Sequence, residues 1–540
     1  MRQPSFLFFL LLLPLCLSAQ DWDWLHVFGS FEDDFITEMA VDPQGNVYHT
    51  GLVKDSSFID SIPVVHQGDA DIYIARLNKD GVTDWITSAG GKAFDRGDAI
   101  VLDQAGNLYV GGFFSDSMLW EGQWYVANGP SDSFIAKYSP EGQLYWIKTF
   151  GGSSFDVCYG LELDIDGYLY MAGHFWGDWQ MDSLSLSNGS TDQEAVVAKL
   201  DTAGTVIWAT SMGGSKNDRA YDLAINAVGE VYVTGYFSDT VTIGSDSLFG
   251  QGSFDTFIAK LDSNGSPLWA RAGTGANSVS PGRIELDAAD NPYICGYYRD
   301  TTHFGSIELP FGGGSDGYLV KYSPQGALQW ARTLSGPGNE YLWDIEFAQS
   351  GFLFLSGDVG HLARWDTIEF TGQQDRDVFL GAVDESGNLF WRETQGDQAD
   401  DSGFGIEWVD NHLYLSGSFQ LRSRFGGSSA IASGGFDGHI ARRNYPIVTN
   451  SIDPRLPGPN LNIYPNPGNG LIWLRVDPPL IRKGAISIYH VNGALVETYP
   501  LASGQQNLQL DLTIPAGVYF IQLKEHGKPA TVKRYVHLSR

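Results

Sequence analysis

The chain runs to 540 residues, enough for about two to four domains, and carries 64 acidic against 33 basic side chains, a formal charge of −31 at pH 7. Residues 20–459 hold 24 Lys and Arg against 60 Asp and Glu, a net of −36, whereas residues 460–540 hold eight against four, a net of +4. A body this acidic repels phosphates and anionic lipid surfaces, so no nucleic-acid partner is expected; cations, basic partners and neutral glycans are compatible with it.

In chain order, residues 1–19 read as a signal peptide. Arg2 gives a positive start, Phe6 to Leu17 form an apolar run too short to span a bilayer, and Ser18-Ala19 precede a cleavage point between Ala19 and Gln20. Cys16 invites a lipoprotein reading, but Leu15 before it is larger than the residue such a signal carries. No later stretch is apolar for long enough to be a transmembrane helix. Only Cys158 and Cys295 remain after cleavage, so disulfides are not the framework, and both read as small buried apolar residues.

The body is periodic. A tryptophan recurs at Trp24, Trp85, Trp146, Trp208, Trp269, Trp330 and Trp391, at spacings of 61 or 62. A glycine closing a strand recurs in phase at Gly51, Gly112, Gly173, Gly235, Gly296, Gly357 and Gly417. A third anchor opens another strand at Asp71 (DIYIAR), Asp132 (DSFIAK), Asp255, Asp316 and Asp377. Each cycle reads as four short strands rich in Val, Ile, Tyr, Phe and Trp, with tight turns such as DPQGN and SPEG. Four-stranded units hide their apolar faces by stacking radially. The expected fold is all-β: a seven-bladed β-propeller over residues 20–444. The chain opens with a fourth strand at Trp24 and ends the repeats with a third around Asp437, so the N-terminal strand should complete the last blade by pairing with Gly438 to Arg443. An open solenoid is the alternative.

This repeat, with its W…GG…D…VD..GN.YV.G…D.FIAK…G..W order, resembles the SBBP family of bacterial β-propeller repeats over about residues 22–444. The resemblance implies a seven-bladed propeller in an extracellular setting and no particular catalytic residues. The pattern blurs in repeat five, where GTGANSVSPGRI replaces the usual start, and in repeat six.

Ten residues after each tryptophan stand Asp34, Asp95, Asp156, Asp218, Val279, Glu340 and Asp401. These acids could ring one mouth of a central channel as a Ca²⁺ or ligand site, or accept N–H groups of their own loops, the simpler expectation for a residue repeated once per blade. The second periodic acid, from Asp71 to Asp437, reads the same way. Between second and third strands lie about 20 variable residues per repeat, expected to form an extra hairpin on the rim. Trp120, Trp124, Trp176 and Trp179 there either stack on sugars or pack the hairpins. Asp60-Ser61-Ile62 and Asp182-Ser183-Leu184 resemble bacterial O-glycosylation triads, though their fixed place in the repeat suits a turn.

From Tyr445 the chain has four prolines in sixteen residues, a linker over 445–459. Residues 460–540 then show about seven strand signals with Pro and Gly turns, suggesting an Ig-like sandwich. This tail resembles the C-terminal sorting domain of the type IX secretion system, on Tyr464-Pro465-Asn466-Pro467, the ISIYHVNGALV hairpin with Gly493, the Pro515-Ala516-Gly517-Val518-Tyr519-Phe520 segment and Lys533. The resemblance implies a type IX translocon as partner and a secreted or outer-membrane surface-attached protein, with Pro465, Asn466, Pro467, Gly493, Gly517 and Lys533 as its signal residues.

No HExxH or GxxxxGK[ST] motif occurs, and the 11 histidines have no ligand spacing. No cofactor is expected beyond Ca²⁺, and a monomer is expected. Three functions fit: a surface module binding a glycan or protein; an extracellular hydrolase or lyase using acidic residues on the loop-rich face; and a Ca²⁺-stabilised adhesin.

Overall fold

The computed structural model describes residues 22–444 apart from 56, 61, 188–191, 349–351, 373–375 and 398, and beyond them 460–464, 471–477, 484–490, 495–501, 507–512, 517–525 and 531–537. The signal residues Ala19 and Gln20, the linker 445–459, and Pro465, Asn466, Pro467 and Gly493 lie outside the described residues. Every regular element described is a β-strand, in a propeller-like arrangement, and no helix described is long and apolar enough to cross a membrane.

The strands of the body pair antiparallel in sets of four, several of these sets joined into larger sheets through added hairpins. The fourth set, sheet four, shows the pattern: Asp218–Ile225, Val231–Phe237, Asp255–Leu261 and Pro267–Gly275, each pairing with the next. The inner strands of these sets are Phe35–Val41, Arg96–Leu102, Val157–Leu163, Asp218–Ile225, Val279–Leu286, Tyr341–Phe347 and Asp401–Val409. Each contacts the inner strands before and after it, and the last contacts the first. Sheet seven takes its outer strand from the start of the chain: Trp24–Phe28 runs along Ser428–Asn444, from Trp24 opposite Arg442 to Phe28 opposite Gly438. That pairing removes the long open edges that two unpaired termini would leave.

Two devices join consecutive sheets, and they account for the periodic anchors. The outer-strand tryptophans donate their indole N–H to a carbonyl in the tight turn of the next sheet: Trp24 to Lys79, Trp85 to Pro140, Trp208 to Ser263, Trp269 to Pro324 and Trp330 to Glu385, at 3.0–3.1 Å. The glycine of that turn has φ near +80° and lies against the ring; a Cβ on Gly265 would come within 2.6 Å of Trp208. The second device is the extra hairpin, which leans back onto the outer strand of the preceding sheet, as Thr242 on Gly213 and Phe304 on Gly273. A Cβ on Gly91, Gly152 or Gly214 would fall within 1.8 Å of a hairpin carbonyl, so the Gly-Gly pairs mark this approach. Apolar clusters fill the space between sheets; Tyr170 and Val197 of sheet three pack with Val233, Phe257 and the hairpin residues Val241 and Ile243.

The tail has two sheets, one of Asn460–Tyr464, Leu471–Asp477 and Asn507–Asp511, the other of Gly484–His490, Leu495–Leu501, Gly517–Glu525 and Thr531–His537. They share one apolar cluster containing Leu474, Leu510, Ile486, Ile488, Tyr519 and Ile521. Gly517 opens one strand opposite His537, and Lys533 pairs with Ile521.

Candidate functional site

Each inner strand carries a bulge, a device that re-aims side chains next to sites. The extra residues are Thr37, Asp98, Tyr159, Tyr221, Trp343 and Phe404, while sheet five has two, Gly282 and Arg283. Below the bulge, a cavity of about 440 Å³ is lined by residues from all seven inner strands. In repeat register the residues after the bulge are Glu38, Ala99, Gly160, Asp222, Arg283, Asp344 and Gly405, all but the two glycines lining the cavity; two residues further stand Ala40, Val101, Glu162, Ala224, Glu285, Glu346 and Glu407.

Seven carboxylates therefore face this channel against one guanidinium. Arg283 forms an ion pair with Glu38 and lies 3.7 Å from Asp222 and 3.9 Å from Asp344, spanning the channel from sheet five toward sheets one, four and six. Backbone N–H groups serve some acids: Ile284 donates to Asp222 at 2.9 Å, Ile345 and Ile406 to Asp344 at 2.8 Å, and Leu163 to Glu162 at 3.1 Å. Burial away from water pushes the Glu162 carboxyl up to about 7, and those of Asp222 and Glu407 to about 8, the neighbouring acids adding to the effect for the latter two. Burial first, then mutual repulsion, holds Glu285 and Glu346 well above the usual carboxylate range.

Around the bulges the walls are aromatic. Tyr159 stacks on Tyr221 at 4.7 Å, and Tyr221 is followed outward by Tyr236 and Phe254. On the other side Trp343 stacks on Tyr341 at 5.0 Å, with Tyr297 and Phe404 against its edges. Trp343 donates to Asp358 at 2.9 Å, and Arg219 to Tyr159 at 3.0 Å, which fixes these rings. Aromatic faces above and acids below suit a ligand with a flat apolar face and hydrogen-bond donors, such as a sugar, or a cationic group. Among the described residues no three His, Cys, Asp or Glu side chains converge as a ready-made metal site.

The acids singled out in the sequence lie elsewhere. Asp34, Asp95, Asp156, Asp218, Glu340 and Asp401 are buried and accept N–H groups from their own loop or from the end of the second strand 20 residues on: Asp95 from Gly91 and Ser115 at 2.8 and 2.7 Å, Asp218 from Gly214 and Ser238, Asp34 from Ser30 and Lys54, Asp156 from Gly152, Glu340 from Gly360 and Asp401 from Asp397. Asp71, Asp132, Asp255, Asp316 and Asp437 do the same from the third strand. Of the hairpin tryptophans, Trp120 and Trp179 are 1% exposed and pack the hairpins, Trp176 stacks on Phe155, and Trp124 is open to solvent. Asp60 and Asp182 take φ of +46° and +50° in hairpin turns, as a turn requires. Cys158 and Cys295 are free and buried.

The channel acids were missed although a signal exists: Glu285, Glu346 and Glu407 recur at the same 61-residue step as the tryptophans, inside strands that otherwise read apolar.

Residues 462–537 match the secretion system C-terminal sorting domain, so the chain carries that domain, which supports a secreted protein handled by type IX machinery. An uncharacterized WD repeat-containing protein of Acanthamoeba polyphaga mimivirus is 22% identical over 497 residues, covering 75% of this chain and 36% of its own length. The regulatory protein FlaEY of Caulobacter vibrioides is 28% identical over 148 residues, 26% of this chain and 15% of its own. The chain thus spans well under half of either relative. WD repeats are four-stranded propeller units of about 40–45 residues, and the repeat here exceeds that by about the length of the extra hairpin. Among solved structures, an apocarotenoid oxygenase from Synechocystis is similar at a TM-score of 0.36 and 12% identity, over 79% of this chain and 95% of that one. A glycoside hydrolase family 43 arabinoxylan arabinofuranohydrolase from Bacillus subtilis gives 0.26 and 11%, over 95% and 96%. Scores this low carry no argument of their own, and the fold rests on the strand pairing above.

Proposed function

We propose that this chain is an exported seven-bladed β-propeller of SBBP type, closed by its N-terminal strand, which binds an extracellular glycan or protein through its central channel. An Ig-like type IX sorting domain then directs it, after a signal peptide, to the medium or the cell surface. One observation supports the binding reading above others: a cavity lined by all seven inner strands and rich in carboxylates, with stacked rings on the bulge residues that directly precede its lining in the chain. Rigid aromatic walls supply contact area at low entropic cost, and the acids supply orientation. Glycan arrays probed with the exported protein test this directly. We expect a defined glycan signal that falls about tenfold or more in Trp343→Ala, compared at equal amounts of folded protein; a silent array together with no protein captured by crosslinking at the cell surface overturns it. Deleting residues 460–540 should strand the chain inside the cell envelope, as read by protease accessibility on whole cells.

Enzymatic hydrolysis is the second reading. Glu162, Asp222 and Glu407, raised to about 7–8, hold protons near neutral pH as a general acid must. Release of reducing ends from polysaccharide, abolished in Glu407→Gln, would favour it. A melt raised by Ca²⁺ and lowered by chelator would favour the adhesin instead.

A further inference from the structure

We propose that the acidic stem of the channel takes up a second cationic group, a primary ammonium or guanidinium of an incoming ligand, held in the cradle at Gly405 by the hydroxyl of Ser416 and the carboxylates of Asp344 and Glu38, beside Arg283 and over the further acids Glu346 and Glu407. The inference deepens the binding reading and takes the channel as its place. Its first ground is that the stem already accommodates a cation of this class. The Arg283 guanidinium sits among Glu38, Asp222 and Asp344, contributed by three other sheets. It comes from repeat five, the repeat whose sequence departs from the period, through a two-residue bulge between Pro281 and Ile284.

Beneath Arg283 the charge is unbalanced. Glu162, Glu285, Glu346 and Glu407 form the next level, and the lining residues include no other Lys or Arg. Glu162 and Glu285 accept a backbone N–H from Leu163 and Leu286. Among the described residues, Glu346 and Glu407 have no hydrogen-bond donor.

The independent ground is Ser416. It stands in register with Gly405 on the next strand, is 1% exposed, and its Oγ has no hydrogen-bond partner. A Cβ on Gly405 would lie 2.6 Å from that Oγ, 3.8 Å from Asp344 Oδ2 and 3.9 Å from Glu38 Oε1. The missing side chain therefore leaves a cradle onto which a buried orphan hydroxyl and two carboxylates face. A buried hydroxyl with nothing to bond is costly unless something fills the site. Among the described residues no three acids converge on one point as a divalent ion needs. An ammonium or guanidinium bridges carboxylates on separate strands, as Arg283 does.

Calorimetric titration of the full mature chain at pH 8 tests this, with spermidine, a trilysine peptide and calcium chloride as separate probes. The expected result is one spermidine or one peptide per chain, weakened about tenfold or more in Glu346→Gln/Glu407→Gln and by Gly405→Ala. The peptide binding the tighter would assign the group to a basic protein segment, spermidine the tighter to a free polyamine. Removing like charges relieves repulsion, so the Gln variant should melt no lower than the parent, which separates lost binding from lost folding. Absence of heat with both organic probes, equal affinity in the double variant, or calcium as the one probe that binds would each overturn the proposal. A positive array for a neutral glycan with no response to spermidine would sink this inference and leave the binding reading standing.

Discussion

Trp208 and Gly265 show how single side chains set the repeat. The indole closes a bond to Ser263 at 3.1 Å while its face covers a glycine at φ +81°, so the ring, the turn and the absent side chain are one requirement. Gly265→Ala should cost about 1–3 kcal/mol, from the left-handed backbone and the ring contact together, measured by urea unfolding; an unchanged midpoint would refute the account. Asp255 accepts N–H groups from Gln251, Gly252 and Gly275 at 2.6–3.2 Å, so Asp255→Ala leaves buried donors bare and should cost about 2–4 kcal/mol. Both anchors were legible in the sequence because nearly every repeat carries them, Gln193-Glu194 of repeat three being the exception for the aspartate. The upper channel residues around Arg283 were not, because the positions beside the bulge hold Glu, Ala, Gly, Asp, Arg, Asp and Gly in turn. A site built by differences among repeats hides from a search for sameness.

At the scale of elements, the strand Trp24–Phe28 carries the seam. Phe28 is 1% exposed, stacks on Tyr73 of sheet one at 4.2 Å and packs with Ile440 of sheet seven. Phe28→Ala should therefore destabilise by about 3–5 kcal/mol, and scanning calorimetry should show the loss in the whole body; a change confined to a minor separate transition would argue against a sealed ring. Strand order and this pairing followed from counting strands at each end of the repeats. The bulges were not foreseeable, since a bulge shows as one extra residue in a strand whose ends the sequence does not mark. Hairpin tryptophans were ambiguous for a related reason: Trp120 and Trp124 are four residues apart on one hairpin, and the turn decides that one is buried and the other exposed.

For the whole molecule, acidity has a thermodynamic sign. Burial raises Asp95 and Asp156 to about 7, and Asp218, Asp401, Glu340, Asp222 and Glu407 to about 8, against about 4 in an unfolded chain. The folded state then binds more protons than the unfolded one between those values, so stability is full below about pH 4 for these groups and declines as pH rises to about 8. Melting temperature should be higher at pH 5.5 than at pH 8.5, and Glu346→Gln/Glu407→Gln should flatten the slope; a melt that rises toward pH 8.5 would contradict it.

The seam joins Trp24 to Arg442, nearly the full length of the body. The strand synthesised first must wait, its partner edge absent, until some 400 further residues have followed. Closure of this pairing thus waits on the last repeat, and a chain halted earlier keeps an unpaired strand edge open to other chains.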